Sequence, residues 1–200
     1  MEQAASQGWN RDQVREEVRR RHSRVEGSAE LPEITPGALY TYQIIRLKDR
    51  LKIDLGFGIY HDLPEKAAKK FKEGDIVQWN VGAPFMAPEG AINRAPTSYS
   101  AIVTQVVDAD TFHALIDLGF GITLAQRVRL RRIDAPELLT ADGKEAKAYL
   151  EKILSRDQGR ILMKSIDIDQ HGRPIADVWV QGKSIDQELL DKGLAVTVSE

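Results

Sequence analysis

In Val107-Asp-Ala-Asp-Thr-Phe112 two carboxylates stand two residues apart where an alternating run gives way to a turn. A strand has a side-chain period of two, so Asp108 and Asp110 are expected on one side of a strand end. Carboxylates held that close repel one another unless a cation or a base neutralises them. Downstream, Arg127-Val-Arg-Leu-Arg-Arg-Ile-Asp-Ala-Pro-Glu137 alternates Arg127, Arg129 and Arg131 with Val128 and Leu130, which makes one strand face cationic. Asp134 and Glu137 flank an Ala-Pro pair that turns the chain just past that strand. A third piece, Asp169-Gln-His-Gly-Arg173, lies between two strand-like runs. Combined, the pieces supply carboxylates for a hard cation, a carboxylate free to act as base, and arginines whose planar fork grips phosphate oxygens. Phosphodiester hydrolysis needs that set of groups. Each piece also has a plainer reading: a solvated aspartate-rich turn, a basic edge strand that resists aggregation, and a hairpin tip bent at Gly172.

The elements that must position these groups follow from periodicity. Strands are expected at 100–107, 111–117, 122–133, 160–168, 175–180 and 195–198. A helix is expected from about 142 to 155, with Asp142 and Glu145 as a capping box and Ala146, Leu150, Ile153 and Leu154 on one face. A second is expected from about 184 to 192, boxed by Ser184 and Gln187 and stopped by Gly193. Strands first and helices inserted later give the α+β class, a β-barrel with packed helices.

Three units are expected along the chain. Residues 1–36 read as a charged helix, Asn10 to Arg24, with a linker. Residues 37–97 read as a small β-rich segment with linker, in which Tyr40, Tyr42 and Ile44 share one strand face and Leu51, Ile53 and Leu55 another. There Pro64 opens a short helix that Gly74 closes, and Asp75–Val81 reads as a strand. Residues 98–200 hold the chemistry. The heptad Ile53-Asp-Leu-Gly-Phe-Gly-Ile59 recurs unchanged at Ile116–Ile122. Its Leu-Gly-Phe-Gly centre is hairpin chemistry. The earlier copy is either a degenerate barrel repeat or the same hairpin reused. It has no Asp-x-Asp-Thr before it and no Arg/Asp/Glu set after it, so residues 1–96 are expected to be catalytically empty and dispensable for turnover, with a protein partner as their role.

Composition narrows the classes. The 200 residues are 42% hydrophobic and 29% charged, as in a globular chain. No apolar run is long enough for a membrane-spanning helix. No signal peptide is visible at the start, which reads as a cytoplasmic protein. Cysteine is absent, which excludes disulfides, thiol nucleophiles and thiolate metal sites. Net charge is −2, not the broadly basic profile of a nucleic-acid coat, so polyanion binding must be local. The first 96 residues carry 15 bases and 14 acids and the remainder 13 and 16, which leaves the acidic excess where a cation would bind. His22, His61, His113 and His171 are scattered without zinc spacing. The lysines at 66, 69, 70 and 72 read as a solvated helix face or a phosphate-backbone contact.

Asp108-Ala-Asp-Thr111, Arg129-Leu-Arg-Arg-Ile-Asp-Ala-Pro-Glu137, His171-Gly-Arg173 and Gly193-Leu-Ala195, in that order, resemble the staphylococcal nuclease (thermonuclease) family over about residues 98–198. The resemblance implies a five-stranded OB-like barrel with packed helices. It implies calcium ligands at Asp110, Asp134 and the backbone carbonyl of Ala135, with Asp108 supporting the ion through water. Glu137 matches the general base, and Arg129 and Arg173 match the phosphate-gripping arginines. The implied activity is Ca2+-dependent endonucleolytic hydrolysis of DNA or RNA with little sequence preference, leaving 3′-phosphate ends. The chain departs from the family pattern in places. The loop after Glu137 is short, which leaves Lys144 as the nearest stand-in for a phosphate-binding lysine. Ser199 falls where a nucleotide-stacking tyrosine belongs, and Gln170-His171 replaces a Lys-Tyr pair. The rival reading is a catalytically silent OB-fold module that binds nucleic acid or protein.

Overall fold

The long alternating runs of the second half pair as a meander. β5 (Ser98–Asp108), β6 (Thr111–Asp117) and β7 (Thr123–Leu130) are antiparallel neighbours. The computed structural model describes residues 31, 35–80, 82, 85–87 and 98–198. The expected N-terminal helix and Ser199 lie outside the described residues. β9 (Arg160–Ile168) pairs with β5 on one side and β10 (Pro174–Val180) on the other, and β10 runs parallel to β7. The ring β5-β6-β7-β10-β9 therefore closes on itself as a five-stranded barrel. The architecture is the OB-like α+β fold.

Phe112, Ile116, Val128, Leu130, Met163 and Val178 fill the interior. Helix α2 (Ala141–Leu154) buries Ala146, Leu150, Ile153 and Leu154 along its core-facing stripe, as expected. Its cap is Thr140 rather than Asp142: the Thr140 hydroxyl accepts the Gly143 N–H at 2.9 Å and donates to the Glu137 carbonyl at 2.7 Å. The turn after Glu137 thereby fixes the helix start two residues earlier than the Asp142 box implies. Helix α3 (Ile185–Asp191) is capped by Ser184, as expected, and packs on β10.

The expected strand at 122–133 breaks after Leu130. Two residues at a bend, Arg131 and Arg132, separate β7 from the short β8 (Ile133–Asp134), which pairs with β11 (Val196–Thr197). Arg131 therefore leaves the cationic row of β7. It turns toward Asp177, 3.4 Å from its Nη1.

In the first half, β1 (Thr41–Leu47), β2 (Arg50–Asp54) and β3 (Tyr60–Asp62) form a second meander. α1 (Glu65–Ala68) follows, shorter than the span from Pro64 to Gly74, and then β4 (Ile76–Gln78). The order across the sheet is β3-β2-β1-β4, and the barrel repeats it as β7-β6-β5-β9, again with a helix before the last strand. Both copies of the heptad make one turn. Asp54 and Asp117 accept from the N–H of Gly56 and Gly119 at 2.9 and 2.8 Å, and Phe57 and Phe120 sit at φ of 54° and 56°. Tyr42, Ile44, Ile53, Leu55 and Val77 join the barrel's residues in one continuous hydrophobic cluster. Among the described residues no helix is long and apolar enough to cross a membrane.

Candidate active site

The site is built where three strand ends meet. β5 ends at Asp108, and Ala109 and Asp110 make the tight turn into β6. The register Thr111↔Arg129 sets Arg129 of β7 across from that turn. The Leu130 N–H donates to the Asp110 carbonyl at 2.9 Å and ties the two ends together. Past the bend at 131–132, β8 brings Asp134 back to the same place.

One guanidinium joins the two predicted calcium-ligand carboxylates. Arg129 Nη1 lies 2.8 Å from Asp110 Oδ2, and Arg129 Nη2 lies 2.8 Å from Asp134 Oδ1. The Thr111 hydroxyl donates to the other Asp110 oxygen at 2.7 Å. Asp110 is only 6% exposed, whereas Asp134 is open to solvent. Burial pushes the Asp110 carboxyl above its ordinary range; Thr111 and Arg129 pull it back, and the carboxylates of Asp134 and Asp108 push it further up. Asp108 is half-buried and close enough to act on Asp110 through space. Two carboxylates thus share one cation, with Asp108 acting on Asp110 only through space.

Among the described residues, none of the other predicted residues hydrogen-bonds or ion-pairs with this group. Glu137 is exposed, and its carboxylate has no partner among the described residues. Its backbone is held firmly, because the carbonyl accepts both the N–H and the hydroxyl of Thr140, at 2.9 and 2.7 Å. Gly143, in the first turn of α2, lets this loop lie directly on the helix: a Cβ there would overlap the carbonyls of Glu137 and Pro136. Arg173 immediately precedes β10, whose Ile175 is in register with Arg129. Its guanidinium is engaged by Asp169, with Nε donating to Oδ2 at 2.7 Å, rather than by the carboxylates at the strand ends. Burial raises the Asp169 carboxyl, but hydrogen bonds from Arg173 and from the His171 backbone outweigh it and hold Asp169 below the usual carboxylate range. Ala135 follows β8 directly, and Lys144 is exposed in the first turn of α2.

A buried charge cluster behind the site was missed by sequence reasoning. Asp177 and Asp186 are fully buried, and Arg132 is 8% exposed. Arg132 Nε lies 2.9 Å from Asp177 Oδ1 and 3.5 Å from Asp186 Oδ2. Burial pushes the Asp186 carboxyl up to about 7, Arg132 opposes that rise and Asp177 adds to it. The available signal was Asp177 itself, a lone acid inside the apolar run Ile175–Val180.

A family model described as "Staphylococcal nuclease homologue" matches residues 127–200, which carry Arg129, Asp134, Glu137 and Arg173. Residues 127–200 are a staphylococcal nuclease-family match. An uncharacterized 38.1 kDa protein of Capnoides sempervirens is 41% identical to this chain over 115 residues, 54% of this chain and 33% of that protein. The probable staphylococcal-like nuclease CAN1 of Oryza sativa subsp. japonica is 41% identical over 70 residues, 34% of this chain and 20% of the relative. The staphylococcal-like nuclease CAN1 of Arabidopsis thaliana is 36% identical over 69 residues, 34% of this chain and 21% of the relative. The chain thus matches a third or less of the length of each of these relatives.

Nucleases of this family are generally metal-dependent, and the carboxylates at the barrel's strand ends can be tested for fit. Asp110, Asp134 and Asp108 are oxygen donors of the kind a hard divalent ion takes. Among the described residues no group of three acidic or imidazole side chains converges as a ready-made metal site. By donor chemistry Asp110 and Asp134 suit a hard cation, and in this structure Arg129 engages both.

Proposed function

We propose that this chain is a Ca2+-dependent endonuclease that hydrolyses phosphodiester bonds of DNA or RNA with little sequence preference. The observation that carries the reading is the single guanidinium of Arg129 set between Asp110 and Asp134 at the strand ends. A cationic fork and two carboxylates of the kind that would hold a divalent ion lie within one side chain's reach. Asp110, Asp134 and the Ala135 carbonyl would hold the calcium, with Asp108 supporting it through water. When bound, the ion supplies neutralisation of charge at the phosphate and orients the attacking water.

The chain's own residues do the rest. Arg129 exchanges a carboxylate for a non-bridging phosphate oxygen and keeps its planar, bidentate geometry. Glu137, exposed and unpartnered, accepts the proton of the attacking water. Arg173, oriented by Asp169, meets the negative charge that grows on the phosphoryl oxygens. Family likeness supports cleavage on the 5′-oxygen side, which leaves 3′-phosphate ends. The first meander, with the heptad and the strand order but none of these side chains, is read as a catalytically empty copy of the barrel's meander.

The experiment is digestion of labelled single-stranded DNA with calcium and with EDTA, by the wild type and by Glu137→Gln. Cleavage that needs calcium and is lost in the variant supports the reading; equal products in all four tubes reject it. A second reading, a silent OB module, is favoured by the lack of a third converging acid among the described residues and by the pairing of Arg129 with both carboxylates. Gel retardation of the same DNA without cleavage, with calcium present, would establish that alternative.

A further inference from the structure

The outer face of β5, β6 and β7 continues from the strand-end carboxylates, and we propose that it is the track along which a single polynucleotide strand reaches them. This rests on the nuclease reading above for its direction, but its binding test does not.

The register builds the face rung by rung. Asp108, Thr111 and Arg129 form the rung at the site. Gln105, His113 and Arg127 form the next exposed one, and Ile102, Leu115 and Ala125 the one after, where β9 adds Arg160 opposite Ile102. Arg127 and Arg129 are two residues apart on one strand, so their side chains leave the same face about 6.6–6.8 Å apart along it. A depression of about 380 Å3 lies here, lined by Thr104, Gln105, His113, Leu115 and Arg127 among others. Ile102 and Leu115 are 48% and 40% exposed, a bare apolar floor between Arg127 and Arg160.

Charge identifies the occupant. The barrel sequence from residue 98 to 200 contains seven arginines. Arg129, Arg131, Arg132, Arg156 and Arg173 are ion-paired with acids of the chain. Arg127 and Arg160 have no such partner among the described residues, and both are exposed on this face. Neither rung carries an acid. Unpaired guanidinium groups flanking an apolar floor fit a ligand with phosphates outside and base faces inside. The row is continuous with Arg129, so a strand gripped by Arg127 presents its next phosphate to the carboxylate site.

The test compares wild type, Arg127→Ala, Arg160→Ala and the double variant, with Arg127→Lys as the charge-retaining control. Binding of an oligothymidylate longer than the roughly 16 nucleotides an OB fold can cover is read by fluorescence anisotropy in EDTA at several salt concentrations. The slope of log K against log salt should fall by about 0.7 for each arginine removed and should be retained by the lysine variant. In calcium, the double variant should lose about tenfold more kcat/KM on that strand than on a dinucleotide. A salt slope unaltered in the double variant, or equal losses on both substrates, overturns the track. A wild type that shows the arginine-dependent slope and cuts nothing upholds the track and overturns the nuclease reading alone.

Discussion

Tyr42 and Tyr99 make reciprocal contacts: each donates its phenolic hydrogen to the other meander's repeated turn. Tyr42 Oη bonds the Leu118 carbonyl at 2.7 Å, and Tyr99 Oη bonds the Leu55 carbonyl at 2.9 Å. Each ring also packs against the phenylalanine of the turn it bonds, Tyr42 on Phe120 and Tyr99 on Phe57, with centroids 5.6 and 5.1 Å apart. A Cβ at Gly119 would overlap the Tyr42 hydroxyl, and one at Gly56 the Tyr99 hydroxyl. The repeated glycines therefore serve twice, as positive-φ turn residues and as seats for the partner's tyrosine.

Tyr42→Phe and Tyr99→Phe should each destabilise the protein by about 1–3 kcal/mol, because a buried carbonyl is left without its donor. The effect should appear in both meanders at once, since they share one cluster. Urea unfolding followed by hydrogen exchange at residues 53–59 and 116–122 checks this; loss of protection in one turn alone would argue against a shared core. By the same reasoning, removing residues 1–96 strips cover from Tyr99 and Phe120. The truncated barrel keeps every candidate site residue but should unfold at lower temperature than the full chain.

Arg129→Ala should lower kcat by about 10²–10³, the cost of losing one pre-oriented donor to a developing oxyanion. Arg129→Lys should recover little of it. A lysine is a point charge and cannot span Asp110 and Asp134, whose oxygens sit 2.8 Å from two different nitrogens. Single-turnover cleavage of labelled DNA measures both. Full activity in the lysine variant would mean that charge, not the fork, is what matters.

Much of this was legible because it is local. The β5–β6 turn, the Ala-Pro bend and the twin heptads are written in runs of fewer than a dozen residues, and the strand period carries Arg127 and Arg129 to one face. The tyrosine exchange was not legible, since Tyr42 and Leu118 are 76 residues apart and only packing joins them. Asp177 was hidden because helix α3 covers the outside of β10, so both faces of that strand are buried and alternation vanishes, and Asp186 because an acid in a helix's first turn reads as a solvated one. Arg131 and Arg173 were placed by type but not by partner. Arg131 lies beyond the last rung of β7, and Arg173 is claimed by an aspartate of its own hairpin.

Gly143→Ala gives a test whose sign separates packing from helix propensity. Gly143 carries no positive φ, so alanine alone should favour the helix by about 1 kcal/mol. Its Cβ, however, would overlap backbone at Pro136 and Glu137, and neither the helix nor a carbonyl bound by Thr140 can yield easily. The expected result is displacement of Glu137, with kcat down by about tenfold or more and KM little changed. A stabilised variant with wild-type kcat would show that the loop relaxes freely.

Asp186 sets the last expectation, through pH. Its folded pKa of about 7 lies above the value of an ordinary aspartate, so the folded state keeps a proton that the unfolded chain has released. Between about pH 4 and the folded pKa the native protein binds more protons, and stability must fall as pH rises through that window. A gap of about three units corresponds to something on the order of 4 kcal/mol. Asp186→Asn keeps the shape and a carbonyl oxygen near Arg132 but has no proton to lose. Thermal midpoints at pH 5 and pH 8 should differ by about 10 °C in the wild type and by much less in the variant, which should be the more stable protein at pH 8. Parallel pH profiles for the two would place the destabilising ionisation elsewhere.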